Sequence, residues 1–269
     1  MQTTLLFLLL QTIGLLAPAN KAATIPVPQT GDTLSFAPLR PMALQEESLT
    51  YRAYYQWGLV WIGAGTIDLR LTRDWAQPGA PFHATAHAVS SRRIDRFFPV
   101  RDRYQTWMSA DAYLPNRFLR EVQEGPVSFT WEYAFDRPAR AAMAKHAGKR
   151  GTKTSQLDAL PADVGDLFST LYRLRAVDWS QVPLGGTVPL NLLVDGKIWA
   201  LSAQLSGRET ITIKGDSHDC WVVQPSLLAG DYFKESDGLR VWLTADDRCI
   251  PVRAEAAILV GSLKADWVP

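Results

Sequence analysis

Residues 50–72 read TYRAYYQWGLVWIGAGTIDLRLT. At a spacing of two, Tyr51, Ala53, Tyr55, Trp57, Leu59 and Trp61 share one face, and Arg52, Tyr54, Gln56, Gly58, Val60 and Ile62 share the other. That period belongs to a strand with one buried side, because successive side chains point to opposite faces of a sheet. Gly63-Ala64-Gly65 predicts a bend or bulge, after which TIDLRLT resumes the strand.

The same grammar runs outward from this stretch. FHATAHAVSS, PVRDRYQTWMS, RFLREVQ and VSFTWEYAFD read as strands, the last placing Phe129, Trp131, Tyr133 and Phe135 on one face. DWAQPGAPF and ADAYLPN are the turns between them. Residues 137–156 are basic and poor in aromatics, which predicts a hairpin loop or short exposed ribbon. DVGDLFSTLYRLRAVDW is the one convincing helix, spanning about 163–177, with Val164, Leu167, Phe168, Leu171 and Leu174 as its apolar stripe. Asp163 and Asp166 are placed as a capping arrangement at its start. Asp195-Gly196, between two apolar runs, signals a tight hairpin. In VWLTADDRCIP (241–251), residues 245–248 form a polar turn fixed by aspartate bonds to backbone N–H groups. Pro251 then marks an edge or a bulge. About a dozen strands and one central helix predict an all-β fold: an antiparallel meander forming a curled sheet, half-barrel or barrel.

The first 23 residues are different in kind. Leu5 to Leu16 is an apolar run interrupted by Gln11 and Thr12, and Ala17-Pro18-Ala19 has the small-x-small form of a cleavage site. The run is shorter than the roughly 20 residues a bilayer span needs. It reads as a secretory signal peptide over 1–23, followed by an extended lead-in over 24–47 and a single domain over 48–269. No transmembrane span is expected in the mature chain. Export to the periplasm or cell envelope permits a disulfide between Cys220 and Cys249, the only cysteines. The alternative is two buried free thiols.

Chemistry-bearing motifs are scarce. A net charge of +1 gives no reason to expect nucleic acid. GxSxG, the P-loop, GxGxxG and HExxH are all absent, the four histidines lack ligand spacing, and neither a catalytic residue, a metal site nor a cofactor is expected. Asp246 and Asp247 are adjacent, so they point apart on a strand or into water in a turn and make no dyad. Asp95, Asp102, Glu121, Glu132 and Asp136 are spread over several strands. Aromatics are the more suggestive feature. Tyr55, Trp57, Trp61, Trp131 and Trp242 are candidates to line an apolar cavity or to stack on sugars, against the plainer reading as core. SSRRIDRFFPVRDRY carries five arginines with Asp95 and Asp102 interleaved, which favours surface ion pairs over the sharper alternative, binding of an anionic lipid headgroup or polysaccharide.

Four segments also carry a resemblance: YRAYYQWGLVWIGAGTIDL, DVGDLFSTLYRLR, GRETI and DGLRVWLTADDRCIPVRAEAAILVGSLKADW. In this order they resemble a family of exported bacterial proteins, of the type found in Bacteroidetes-like bacteria, that is catalogued as a domain of unknown function. The resemblance covers most of residues 48–267; Cys249 departs from it, standing where a basic residue is expected. It implies a curled antiparallel fold similar to the lipoprotein YmcC, and loosely to the acyl-chain carriers LolA and LolB. The expected function is therefore an exported, non-enzymatic envelope protein that binds an apolar or amphiphilic ligand or supports envelope assembly. A glycan-binding module is the alternative, and a glycan hydrolase or lyase, needing two convergent carboxylates, comes third.

Overall fold

The computed structural model describes residues 39–40, 45–57, 60–74, 76, 79–225, 238–257 and 261–269. The expected signal peptide and most of the lead-in lie outside these. Fourteen described strands form one antiparallel sheet: β1 Glu47–Trp57, β2 Val60–Arg73, β3 Phe82–Ser90, β4 Arg101–Met108, β5 Pro115–Glu124, β6 Val127–Asp136, β7 Ala141–Gly148, β8 Gly151–Leu157, β9 Thr187–Val194, β10 Lys197–Ile213, β11 Asp216–Pro225, β12 Leu239–Thr244, β13 Pro251–Ala257 and β14 Ser262–Val268. Helix α1, Arg92–Asp95, is a single turn; α2 is Leu167–Ala176; a 3-10 turn spans Trp179–Gln181.

Each strand pairs with its sequence neighbour, except that β1 also pairs with β14 and that β8 and β9 form the two ends of the sheet. The meander curls so that β1–β7 and β9–β14 all face one apolar core, which includes Tyr51, Tyr55, Tyr104, Phe118, Tyr133, Val222 and Leu263. Antiparallel order fixes the two ends of this curl. The β1–β2, β3–β4, β5–β6 and β7–β8 connections lie at one rim, here the upper. The β2–β3, β4–β5, β6–β7 and β12–β13 turns lie at the lower rim.

Helix α2 plugs the lower end. Its Tyr172 and Ala176 pack with Leu71, Phe82, Met108 and Tyr113 from the lower ends of the strands, while Leu167 and Phe168 enter the main core. Its N-cap is Asp166 rather than Asp163: the Asp166 carboxylate accepts from the backbone of Phe168 and Ser169, and Ser169 Oγ accepts from Asp166 N. Asp163 instead accepts from Asn191 Nδ2 at 2.7 Å, because Gly165 joins β9 as a short parallel partner and holds the preceding chain extended. That bridge also pairs Asn191 O and Leu193 N on the otherwise unpaired edge of β9.

The opening stretch folds as a hairpin, not a single continuous run. The chain reverses between Trp57 and Val60, and Trp61 stands opposite Gln56. Trp61 therefore occupies the face opposite Tyr55, which corrects the single aromatic stripe expected from period two. The expected bulge is present: Ala53 pairs with Gly65 and Tyr54 with Gly63, leaving Ala64 extra. A Cβ on Gly65 would sit 2.2 Å from Val89 O, so the close approach of β3 requires glycine there.

Two turns match their sequence signals. Asp195 (φ 51) and Gly196 (φ 73) make the tight hairpin between β9 and β10. Asp246 Oδ1 accepts from Thr244 Oγ1 (2.6 Å), Arg248 N (3.0 Å) and Cys249 N (3.0 Å), fixing the β12–β13 turn. Pro251 sits at a bulge, where the register slips between Trp242 and Leu243.

The disulfide permitted by the sequence is not formed. Cys220 and Cys249 are free and buried. Cys220 faces the main core with Val222 and Trp242, whereas Cys249 joins Leu174, Val177 and Leu243 in a cluster on the other face of the sheet. Burial raises both thiols, Cys220 to about 12, which keeps them protonated.

Candidate functional site

Polar groups collect where the β9–β10 end of the sheet meets β5 and β6. On β4 and β5, period two places Asp102, Tyr104, Phe118, Arg120, Val122 and Glu124 on the inner face. Three of these are charged residue types at an apolar phase: Asp102 and Arg120 are 2% exposed and Glu124 is 1% exposed. Across the seam, the Asp195-Gly196 hairpin reaches the wall formed by β5 and β6. Arg120 Nη1 donates to Asp195 Oδ1 at 3.0 Å, and Gly196 N donates to Tyr133 Oη at 2.8 Å. Trp131 closes over Gly196 so tightly that a Cβ there would lie 3.1 Å from its ring. The seam is thus clasped by side chains, without a β8–β9 ladder among the described residues.

The cluster is incompletely satisfied. Asp102 Oδ1 accepts from Gln123 N at 3.0 Å, and the Asp102 and Glu124 carboxyls hydrogen-bond each other. Burial, reinforced by the Asp102 charge, raises Glu124 to about 9; burial raises Asp102 as well. Two adjoining buried carboxyls favour holding one proton between them, and Asp102 Oδ2 and Glu124 Oε2 have no other partner. Arg120 Nε and Asp195 Oδ2 remain without one. The Arg120 guanidinium also lies over the Phe129 ring at 5.1 Å and the Tyr104 ring at 5.8 Å. Beside it, Phe118, Arg120, Trp131, Tyr133, Leu167, Val194 and Asp195 line a narrow recess, too tight in this conformation for a water molecule.

The carboxyl pair is a buried dyad. Two acids do converge, but both are sealed from solvent, which does not meet the open cleft a glycosidase needs. The other acids singled out from the sequence have outward partners: Asp95 with Arg101, Glu121 with Arg103, Glu132 with Arg117, and Asp136 accepting from Ala139 N. The interleaved arginine stretch therefore does form a surface pair, Arg101–Asp95, at 2.6 Å.

The nominated aromatics divide. Tyr55 is buried on the inner face. Trp131 is half-buried and lines the recess, stacked 5.6 Å from Tyr133 and tilted at 4.6 Å against His146. Trp242 is only 4% exposed, and its Nε1 donates to Glu209 at 3.0 Å, so it is a core residue with a satisfied polar end. Trp61 is exposed, with Lys264 Nζ 4.1 Å from its ring. Trp57 lies on β1, and its side chain is outside the described residues. Arg120, Glu124 and Asp195 are the residues that sequence reasoning missed. The available signal was their phase: in RFLREVQE, Arg120 and Glu124 alternate with the outward positions and keep step with Phe118 and Val122.

A family model of a protein of unknown function, DUF3108, matches residues 50–268. Among solved structures, the chain is similar to a β-barrel-like protein of domain of unknown function DUF1849 from Brucella abortus. That likeness has a TM-score of 0.56 at 9% identity, covering 86% of this chain and 98% of that one, and speaks for the fold alone. No curated protein matches the chain.

Proposed function

We propose, from the premise that this chain belongs to the DUF3108 family of proteins of unknown function, that it is an exported, non-enzymatic envelope protein that holds an amphiphilic ligand inside its curled sheet. The observation that carries this reading is the seam. Fourteen strands build a wall whose β9–β10 end meets β5 and β6 through Arg120–Asp195 and Tyr133–Gly196, with the chain around Gly165 beside β9, a closure that can part without breaking a ladder between the sheet's two ends. Behind it stand aromatic and aliphatic walls for an acyl or other apolar part. Arg120 Nε and Asp195 Oδ2 stand ready as donor and acceptor for a polar head. Binding is coupled to opening, since the closed recess is full. Export rests on the composition of residues 1–23.

Native mass spectrometry of protein recovered from its host's envelope fraction is the test. A bound amphiphile of discrete mass, displaced on unfolding, is the expected result. Ligand-free protein, together with no uptake of an apolar fluorophore by either wild type or Asp195→Asn, would end this reading.

A further inference from the structure

The upper rim combines two features. It presents large apolar side chains to solvent: Phe97 is 82% exposed, Val60 61%, Val127 39% and Trp61 37%. Between them stand Arg92, Arg93 and Arg96 of the β3–β4 connection and Lys149 and Arg150 of the β7–β8 turn, all exposed and none in an ion pair among the described residues. The neighbouring acids are occupied elsewhere. Asp95 is held by Arg101 and Ser90, which lower it to about 2; Glu124 and Asp195 are turned inward. The lower rim is mixed in charge, exposing Asp111, Asp136, Asp158, Asp216, Asp246 and Asp247 together with Arg73, Arg140, Lys214 and Arg248.

The basic and apolar groups form one continuous, rigid surface. Ser91 N donates to Ala64 O at 2.7 Å and Ser91 Oγ to Gly63 O at 3.0 Å, tying the β3–β4 connection to β2 near Trp61. Gly125 N donates to Pro99 O at 2.8 Å, and Phe98 is buried against Gly125, tying the same connection to the β5–β6 turn near Val127. Phe129 pairs with Gly148, which brings the β7–β8 cations alongside. With Phe98 anchored inward, Phe97 is fixed outward.

We infer that this rim docks on the surface of an anionic phospholipid bilayer, with Phe97, Trp61, Val60 and Val127 seated at the headgroup level and the five cations paired with lipid phosphates. Exposed apolar tips interleaved with unpaired cations suit a charged interface whose interior is apolar. The paired acids of the same rim remove the repulsion such a surface would otherwise meet. The inference concerns the outer surface and stands whether or not the interior holds a ligand.

Co-sedimentation with phosphatidylglycerol–phosphatidylcholine vesicles tests it, using wild type and variants with identical N-termini. Wild type should partition strongly onto these vesicles, weakly onto phosphatidylcholine alone, and less as salt is raised. At roughly five-fold per cation, Arg92→Gln/Arg93→Gln/Arg96→Gln should weaken partition on the order of a hundred-fold. Phe97→Ser, at a largely exposed position, should weaken it several-fold with an unchanged melting temperature. The lower-rim variant Asp216→Asn should bind as wild type. Equal binding to both vesicle types, or triple-glutamine protein that binds as wild type, would overturn the inference. So would Phe97→Ser that binds vesicles normally while dextran sulfate competes fully, which would make the partner a soluble polyanion.

Discussion

Two arginines are buried in this molecule to the same degree, Arg120 and Arg175, each 2% exposed, and their surroundings differ. Arg175 of α2 is fully engaged. Nη1 and Nη2 donate to the two oxygens of Glu47 on β1, while Nε and Nη2 donate to Arg248 O in the β12–β13 turn. Tyr172 Oη adds a bond to Glu47 Oε1 at 3.2 Å. This cluster fastens the plug helix to the wall. Arg120 lies at the seam, and around it Nε and Asp195 Oδ2 have no partner, while the buried carboxyls of Asp102 and Glu124 rely on each other. An unsatisfied buried polar group costs about 1–3 kcal/mol, so such a cluster is poor scaffolding. The lesson is that burial alone does not identify a structural ion pair. The count of partners does, and a shortfall points to a group kept for another purpose.

The sharpest way to break the comparison is to remove the anion on each side. Glu47→Ala leaves a buried guanidinium with only Arg248 O, and should destabilise by about 3–5 kcal/mol in urea unfolding. Asp195→Asn retains the left-handed turn, since asparagine suits positive φ, and loses one charge-assisted bond. It should cost about 1–2 kcal/mol. Its specific mark is faster hydrogen exchange at Gly196 N–H as the clasp to Tyr133 loosens. Equal costs for the two variants would erase the distinction.

The third test uses pH. Glu124 keeps its proton in the fold up to about 9, whereas an unfolded glutamate releases it near its ordinary value of 4.5. Across that window the folded state binds more protons than the unfolded one. Stability therefore falls as pH rises from about 4.5 to 9, by at most about 1.4 kcal/mol per pH unit for one proton. Glu124→Gln donates to Asp102 without titrating. It should flatten the slope and raise the melting temperature at pH 8 relative to wild type. Asp166, lifted by burial to about 6, adds to the same trend at the acid end and is unaffected by that variant. Smallest is Trp242→Phe, which removes the bond to Glu209 and keeps the ring, at about 1 kcal/mol.

Much of this architecture was legible because it is local. Asp195-Gly196 and Asp246 announce their turns through backbone chemistry that needs no distant partner, and Gly63-Ala64-Gly65 announces the bulge. What failed depended on partners far along the chain. The face of Trp61 turns on a reversal after Trp57 that periodicity reads straight through. The helix start moved from Asp163 to Asp166 because Gly165 is recruited by β9. The pairing of Asp102 with Glu124 turns on residues 22 positions apart lying across two neighbouring strands, and the contact of Arg120 with Asp195 spans 75 positions.

The β1–β14 ladder has a consequence for assembly. Strand order in the sheet is not chain order: the earliest and latest strands meet near its middle, and the two edges come from the middle of the sequence. Two sequential meanders, β1–β8 and β9–β14, are each local and can form early, but their union waits on seven cross-strand pairs between Thr50–Gln56 and Ser262–Val268. β14 is therefore a keystone. Its removal should leave two half-sheets with opposed apolar faces and newly bared edges, prone to find one another in the wrong chain.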